Sequence, residues 1–269
     1  MTMGPTEPGL LAGSGKRARR LASILDLVAQ RRTVRLTELT ESLGISAATA
    51  RRDLADLADR RLLTRTHGGA TVAEGHDEFP VTLRDTRFSD AKRAIARAAL
   101  TQLPTEIHVV ALSGGTTAAC VARALTWRKD LTVVTNSLTV ATIFSSQPRV
   151  RVIMTGGVLR YRSLELVGLL AENAFGAVNI GTAILGADGV SAVAGVTTHD
   201  ETEARTNHAM VAKAQRTMVV ADGSKIGRSA LSQMSPLPGI DMLITDRTAD
   251  EDELGRIRRS GVQVVVADA

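Results

Sequence analysis

The sequence predicts a two-part α/β protein: a small helical unit closed by a short hairpin, then a larger unit built on a mainly parallel sheet. Three observations predict it. Leu21, Ile24, Leu25 and Val28 recur at three- and four-residue spacing, the period of an amphipathic helix. From about residue 91 the texture changes, and apolar runs of four to six residues alternate with helical patterns. Those runs lack polar alternation, so both faces of each strand must be covered, which implies parallel strands with helices between them. The length, 269 residues, suits two domains at roughly 150 residues each.

The elements follow in order. Residues 1–16, rich in Gly, Pro and small side chains, read as a disordered leader. A compact helical unit is expected over 17–72. After its first helix, Thr37 to Leu43 forms a second, with Leu39 and Leu43 turned inward. Gly44 ends it by adopting a positive φ. Ile45 plugs the gap, and Ser46 caps a third helix that packs through Ala50, Leu54 and Leu57. The stretch LLTRTHGGA at 62–70 reads as a small hairpin. Residues 73–90 read as a polar linker, and 91–269 as the second unit. Its expected strands are His108–Leu112, Leu131–Thr135, Val150–Thr155, Thr182–Leu185, Thr217–Ala221, Met242–Thr245 and Val262–Ala267. Its expected helices include Ala91–Leu103, Thr117–Leu125, Glu201–Ala214 and Asp250–Arg259.

Charge is unevenly placed. The net charge is +5. Residues 1–70 carry 12 Lys/Arg against 7 Asp/Glu, whereas 71–269 carry 21 of each. The whole excess sits in the first quarter, the footprint of a polyanion partner or of a merely soluble basic segment. Aromatic content of 2% argues against a stacking platform for single-stranded nucleic acid. No run of about 18 apolar residues suggests a membrane span, and no signal peptide is visible. Cys120 is the only cysteine, which fits a reducing cytoplasm.

Two helices joined by a Gly turn, followed by a hairpin, have the form of a winged helix-turn-helix. Such a unit needs a second helix whose exposed side chains are short, polar or basic, so that it fits the major groove. Ser46, Ala47, Thr49, Arg51 and Arg52 meet that need, and Arg35 at the head of the segment joins them. Arg51 and Arg52 suit guanine edges or phosphates. Arg65 and His67 on the wing suit phosphate or minor-groove contacts. The alternative is a structural three-helix unit with solvated arginines.

In open α/β sheets, ligands bind beyond the carboxyl ends of the strands. Here the first expected strand is followed by Ser113-Gly114-Gly115-Thr116-Thr117, glycines and hydroxyls at a helix N-terminus, a combination that suits a phosphate or serves as an ordinary turn. Later strands end in Asn136, in Gly156-Gly157, in Asp188 and in Lys225. Asn136 and Asp222 are also N-cap candidates. Convergence of these ends on one anionic, polyol-binding pocket makes Lys225 a phosphate partner and Asp188 a sugar-hydroxyl partner. The acid-rich run Thr198–Glu203 reads as a helix N-terminus, capped by Thr198 or Asp200, with a ligand role for Glu203 open. No metal-ligand spacing is present, and neither metal nor cofactor is expected.

SAATARRDL at 46–54 and RTHGG at 65–69 resemble the signature of the DeoR family of bacterial transcription regulators, except that Ala50 stands where a larger aliphatic residue is usual. The resemblance runs over nearly the whole chain from residue 17. ADGSKIG at 221–227 fits the family's pattern closely, while Ser113 takes the place of an acid in the family's D-x-G-T-T. The resemblance implies a Rossmann-like effector domain related in fold to ribose-5-phosphate isomerase and glucosamine-6-phosphate deaminase. It also implies a phosphorylated sugar as inducer, a double-stranded DNA operator and a homo-oligomer, dimer or tetramer, in the cytoplasm. The expected function is a repressor of carbohydrate-metabolism genes and not an enzyme. The alternatives are a sugar-phosphate isomerase or deaminase with a DNA-binding appendage, and a regulator whose α/β domain has lost its ligand.

Overall fold

In the computed structural model, which describes residues 15–60, 62–72, 81–84, 88–106, 108–129 and 131–268, the chain divides after Arg87 into two units. The first holds α1 (Gly15–Arg31), β1 (Thr33–Arg35), α2 (Leu36–Leu43), α3 (Ala47–Asp59), β2 (Leu63–Thr66), β3 (Gly69–Val72) and the single turn α4 (Val81–Arg84). The apolar stripe of α1 is wholly buried and meets Val34, Leu39, Leu54, Leu57, Leu63 and Ala70 in one core. Gly44 has φ 61° at the end of α2, a conformation that costs a β-carbon-bearing residue energy, so the chain turns there into α3. Ser46 Oγ accepts the Thr49 N–H at 3.2 Å and caps α3.

The hairpin expected at 62–70 is β2 and β3, turning at His67–Gly68, but β3 also pairs with β1 in the order β1-β3-β2. Strand β1 is three residues long, too short to show alternation. Ile45, expected to plug the helix gap, is only half-buried and stands outside the core cluster. The expected leader lies outside the described residues as far as 14, and Gly15 and Lys16 already belong to α1. Within the expected linker, 73–80 and 85–87 lie outside the described residues, α4 forms at Val81, and the next helix starts at Ser89.

The second unit contains α5 (Ser89–Thr101), β4 (His108–Leu112), α6 (Thr116–Leu125), β5 (Leu131–Thr135), α7 (Leu138–Phe144), β6 (Arg151–Met154), β7 (Val158–Arg160), β8 (Glu165–Val167) and α8 (Leu169–Gly176). It continues through β9 (Ile180–Gly186), β10 (Gly189–Ser191), β11 (Gly195–Thr198), α9 (Glu201–Ala212), β12 (Ala214–Val220), β13 (Ser232–Ser235), β14 (Met242–Asp246), α10 (Glu251–Arg259) and β15 (Gln263–Ala267). Seven strands form one parallel sheet in the order β15-β14-β12-β9-β4-β5-β6. Successive residues of its strands enter opposite cores. Val110 and Leu112 pack with Ile95, Val121 and Phe144 on one face, while Ala111 packs with Phe175, Met210 and Leu254 on the other. Burial on both faces explains the unbroken apolar runs.

The fold class, a winged helix-turn-helix followed by a mainly parallel α/β unit, is therefore the one the sequence predicts. The helix expected after Thr135-Asn136-Ser137 is α7, whereas the hairpin β7–β8, the small antiparallel sheet β10-β11-β13 and helix α8 were not anticipated.

Candidate nucleic-acid interface and effector site

Helix α3 has two unlike sides. Ala50, Asp53, Leu54 and Leu57 are buried, whereas Ser46, Ala47, Arg51 and Arg52 are exposed and Thr49 is half-buried with its hydroxyl 2.9 Å from Ser46 Oγ. Arg35, Arg65 and His67 are exposed on the small sheet and its turn. The Arg35 N–H donates to Glu38 Oε2 at 2.8 Å, which fixes the start of α2. Sequence reasoning missed Asp53. Its carboxylate is buried and accepts two bonds from Arg20 of α1, Nε at 2.5 Å and Nη2 at 3.3 Å. Beside it, Arg17 reaches Asp56 at 3.0 Å. The bond to Asp53 raises the Arg20 pKa against the opposing effect of burial, so the fork stays charged. Helix α1 is thus tied to the buried side of α3, the helix that carries Arg51 and Arg52.

In the second unit, chain order reverses between β4 and β9. From β4 the chain builds outward to β5 and β6, then returns to β9 on the other side and continues to β15. That reversal is the switch point where open α/β sheets form their crevice. Ser113 bridges it: its Oγ accepts the Gly186 N–H at 3.0 Å and donates to Gly114 O at 3.2 Å. Ser113 is buried, and its hydroxyl is thereby engaged in holding the loop to β9. Gly114 does not offer its N–H to a ligand as the sequence suggested, because that group donates to Glu165 Oε1 at 2.7 Å. The amides of Gly115, Thr116 and Thr117 remain at the start of α6, where a helix cannot satisfy them itself.

Behind the loop lies a carboxyl network. Glu165, from β8, and Glu203, from α9, are both buried. Burial raises the pKa of each, and the charge of Glu165 pushes Glu203 well above the usual range. Thr198 Oγ1 lies 2.5 Å from Glu203 Oε1 and 3.2 Å from Asp188 Oδ2. A hydroxyl has one proton to give. Both contacts are satisfied when protonated Glu203 donates to Thr198 and Thr198 donates on to Asp188. Lys225 Nζ stands 3.5 Å from Asp188 Oδ1. Arg160 Nη1 donates to Glu203 Oε2 at 3.0 Å, and its Nε lies 3.2 Å from Asp200 Oδ2. For Asp200, burial is outweighed by the Glu203 N–H and Arg160, which hold its pKa below the usual value.

Asn136 is wholly buried. Its Nδ2 donates to Asn207 Oδ1 at 3.3 Å, and its Oδ1 has no protein partner. It is not the N-cap of α7, a task that Ser137 performs by accepting the Val140 N–H. Asp200 caps α9, and Asp222 caps the turn Gly223–Lys225. The network thus brings Ser113, Gly114, Asp188, Glu203 and Lys225 together with Arg160 and Glu165, which sequence reasoning missed. Asn136 hydrogen bonds to Asn207, one of the groups that act against burial in lowering the Glu165 pKa. Gly156 and Gly157 follow β6, and Gly157 instead lies against Val167 of β8. Among the described residues no group of His, Cys, Asp and Glu is placed to hold a metal ion.

Residues 20–75 match the DeoR-like helix-turn-helix domain, and residues 87–247 match the DeoR C-terminal sensor domain. The chain belongs to the DeoR family of transcription regulators. Relatives of this DeoR-family chain include the HTH-type transcriptional regulator GlpR of Haloferax volcanii, 38% identical over 92% of this chain and 97% of that protein. The glycerol-3-phosphate regulon repressor of Escherichia coli is 32% identical over 86% of this chain and 91% of that protein. The transcriptional repressor GlcR of Bacillus subtilis is 29% identical over 93% and 96%. Among solved structures, ribose 5-phosphate isomerase A of Methanocaldococcus jannaschii aligns over 51% of this chain and 54% of its own, at 17% identity and a TM-score of 0.39. These relatives are named regulators and repressors, so this DeoR-family protein is a DNA-binding transcription regulator and not an enzyme. No helix among the described residues is long and apolar enough to cross a membrane.

Proposed function

We propose that this regulator represses carbohydrate-metabolism genes from the cytoplasm and leaves its operator when a phosphorylated sugar or polyol binds the second unit. The observation that carries this reading is the position of the Ser113–Thr117 loop at the switch point of the sheet, with Lys225 and the carboxyl network around it. The first-turn amides of α6 and Lys225 supply donors for a phosphate. Asp188, Glu203 and the unsatisfied Asn136 Oδ1 supply acceptors for hydroxyls. The name of the glycerol-3-phosphate regulon repressor agrees with a small phosphorylated polyol.

On the DNA side, Ser46, Ala47, Thr49, Arg51 and Arg52 read the major groove, while Arg35, Arg65 and His67 hold the backbone or minor groove. One such unit covers a single half-site, so the regulator works as a homo-oligomer. The test is operator binding with and without a panel of sugar and polyol phosphates. One member weakens binding at least tenfold, and Lys225→Ala abolishes that response. No response to any member contradicts the effector reading.

A further inference from the structure

Among the described residues of the second unit nine large apolar side chains are exposed, and five of them lie between residues 154 and 170. Met154, Val158, Tyr161, Leu169 and Leu170 are between 39% and 79% exposed. Met154 ends β6, the edge strand of the seven-stranded sheet. Val158 opens β7 and pairs in register with Val167, which precedes Leu169 by two residues. Tyr161 stands at the turn of the same hairpin. Pairing and chain continuity therefore keep the five close together, because a strand advances only about 3.3 Å per residue.

We propose that these five side chains form the face through which one copy of this chain docks on a second. The inference rests on the reading of the regulator as a homo-oligomer, and names its surface. Five large side chains this exposed leave on the order of 500 Å², the size of the largest apolar patch a monomer usually shows. Two copies pairing face to face cover roughly 1,000 Å², the lower bound for a biological interface. The face is apolar and needs no oppositely charged partner, so it is complementary to itself, as a two-fold interface requires. An edge strand beside it offers unpaired backbone that an isolated chain must protect, and a second copy protects it. The single helix-turn-helix gives the pairing a purpose, since two half-sites need two chains. Arg160, which holds Glu203 and Asp200, directly precedes Tyr161. Interface and effector site therefore share one hairpin.

The experiment is analytical ultracentrifugation of the full chain without DNA or effector. Tyr161→Glu and Leu170→Asp are compared with wild type and with Trp127→Glu and Val193→Glu, which place the same charge at exposed apolar positions elsewhere. Wild type and both controls sediment as an oligomer. Each face variant weakens self-association at least tenfold and falls to half the mass or less, with unchanged far-UV circular dichroism. If a charged face variant loses its secondary structure, Tyr161→Ser and Leu170→Ser replace it, with the same tenfold weakening expected. An oligomeric wild type whose face variants keep its mass overturns the assigned face while leaving the oligomer reading intact. Dissociation by the control variants alone also overturns the face. A monomeric wild type overturns both readings.

Discussion

Glu165 accepts the Gly114 N–H at 2.7 Å, joining the loop after β4 to the hairpin β7–β8 across 51 residues of chain. A β-carbon on Gly114 would lie 2.6 Å from Glu165 Cγ. Glu165 is itself buried, so yielding to that β-carbon would disturb its surroundings. Gly114→Ala is therefore expected to cost about 1–3 kcal/mol through overpacking. It is also expected to weaken effector binding at least tenfold, as measured by calorimetry. Wild-type effector affinity in this variant contradicts the placement of the loop.

The buried carboxyls make stability depend on pH with a definite sign. A raised carboxyl pKa means that the folded chain keeps a proton the unfolded chain releases. The stabilisation from Glu165 and Glu203 is fully present below the ordinary value of 4.5 and is lost as pH rises through their raised values. Asp200 acts oppositely: its contribution is present above 3.8 and is lost as pH falls through its lowered value. Glu165→Gln keeps an acceptor for Gly114 and removes one ionisation. Its melting temperature should fall less than that of wild type between pH 5 and pH 8, taken as roughly the window where buried carboxyls titrate. Parallel pH profiles for the two proteins argue against the shared network.

The clamp between Arg20 and Asp53 is a charged tie between α1 and α3. Asp53→Asn keeps the shape and loses the charge-assisted fork, at an expected cost of about 2 kcal/mol to the first unit. Arg51 is carried on α3, so operator affinity should fall as well. Denaturant unfolding and operator titration of the same variant check both effects.

Arg51→Ala and Arg52→Ala should each weaken operator binding. The one that reads a base should also relax specificity at one operator position by about 1–3 kcal/mol, and the one that holds a phosphate should lower the salt dependence instead. Titrations against single-base operator variants at two salt concentrations separate these roles.

Much of this was legible in the sequence, for physical reasons. Strands β4, β5 and β9 are buried on both faces, so they appear as apolar runs whatever their partners. Gly44 and Ser46 act within a turn of chain, and their residue types announce the turn and the cap. The hairpin β7–β8 gave no such signal. Its strands, Val-Leu-Arg and Glu-Leu-Val, have three residues each and no period. Glu165 and Arg160 gain their roles from Gly114 and Glu203, 51 and 43 residues away, a relationship that only the folded sheet creates. Asp53 was hidden for the same reason: it reads as one more surface acid until α1 lays Arg20 across it. The first residues of the chain and most of 73–87 lie outside the described residues.

The most direct test is fluorescence anisotropy on the DNA upstream of the protein's own gene, with competitor DNA, at physiological salt, with and without the phosphate panel. Specific binding is expected, with a dissociation constant of about 10⁻⁸ M or tighter. It should be weakened at least tenfold by one phosphorylated sugar or polyol. Binding no tighter than to competitor DNA on every upstream region tried, or specific binding that no panel member alters, would contradict a sugar-phosphate-released repressor.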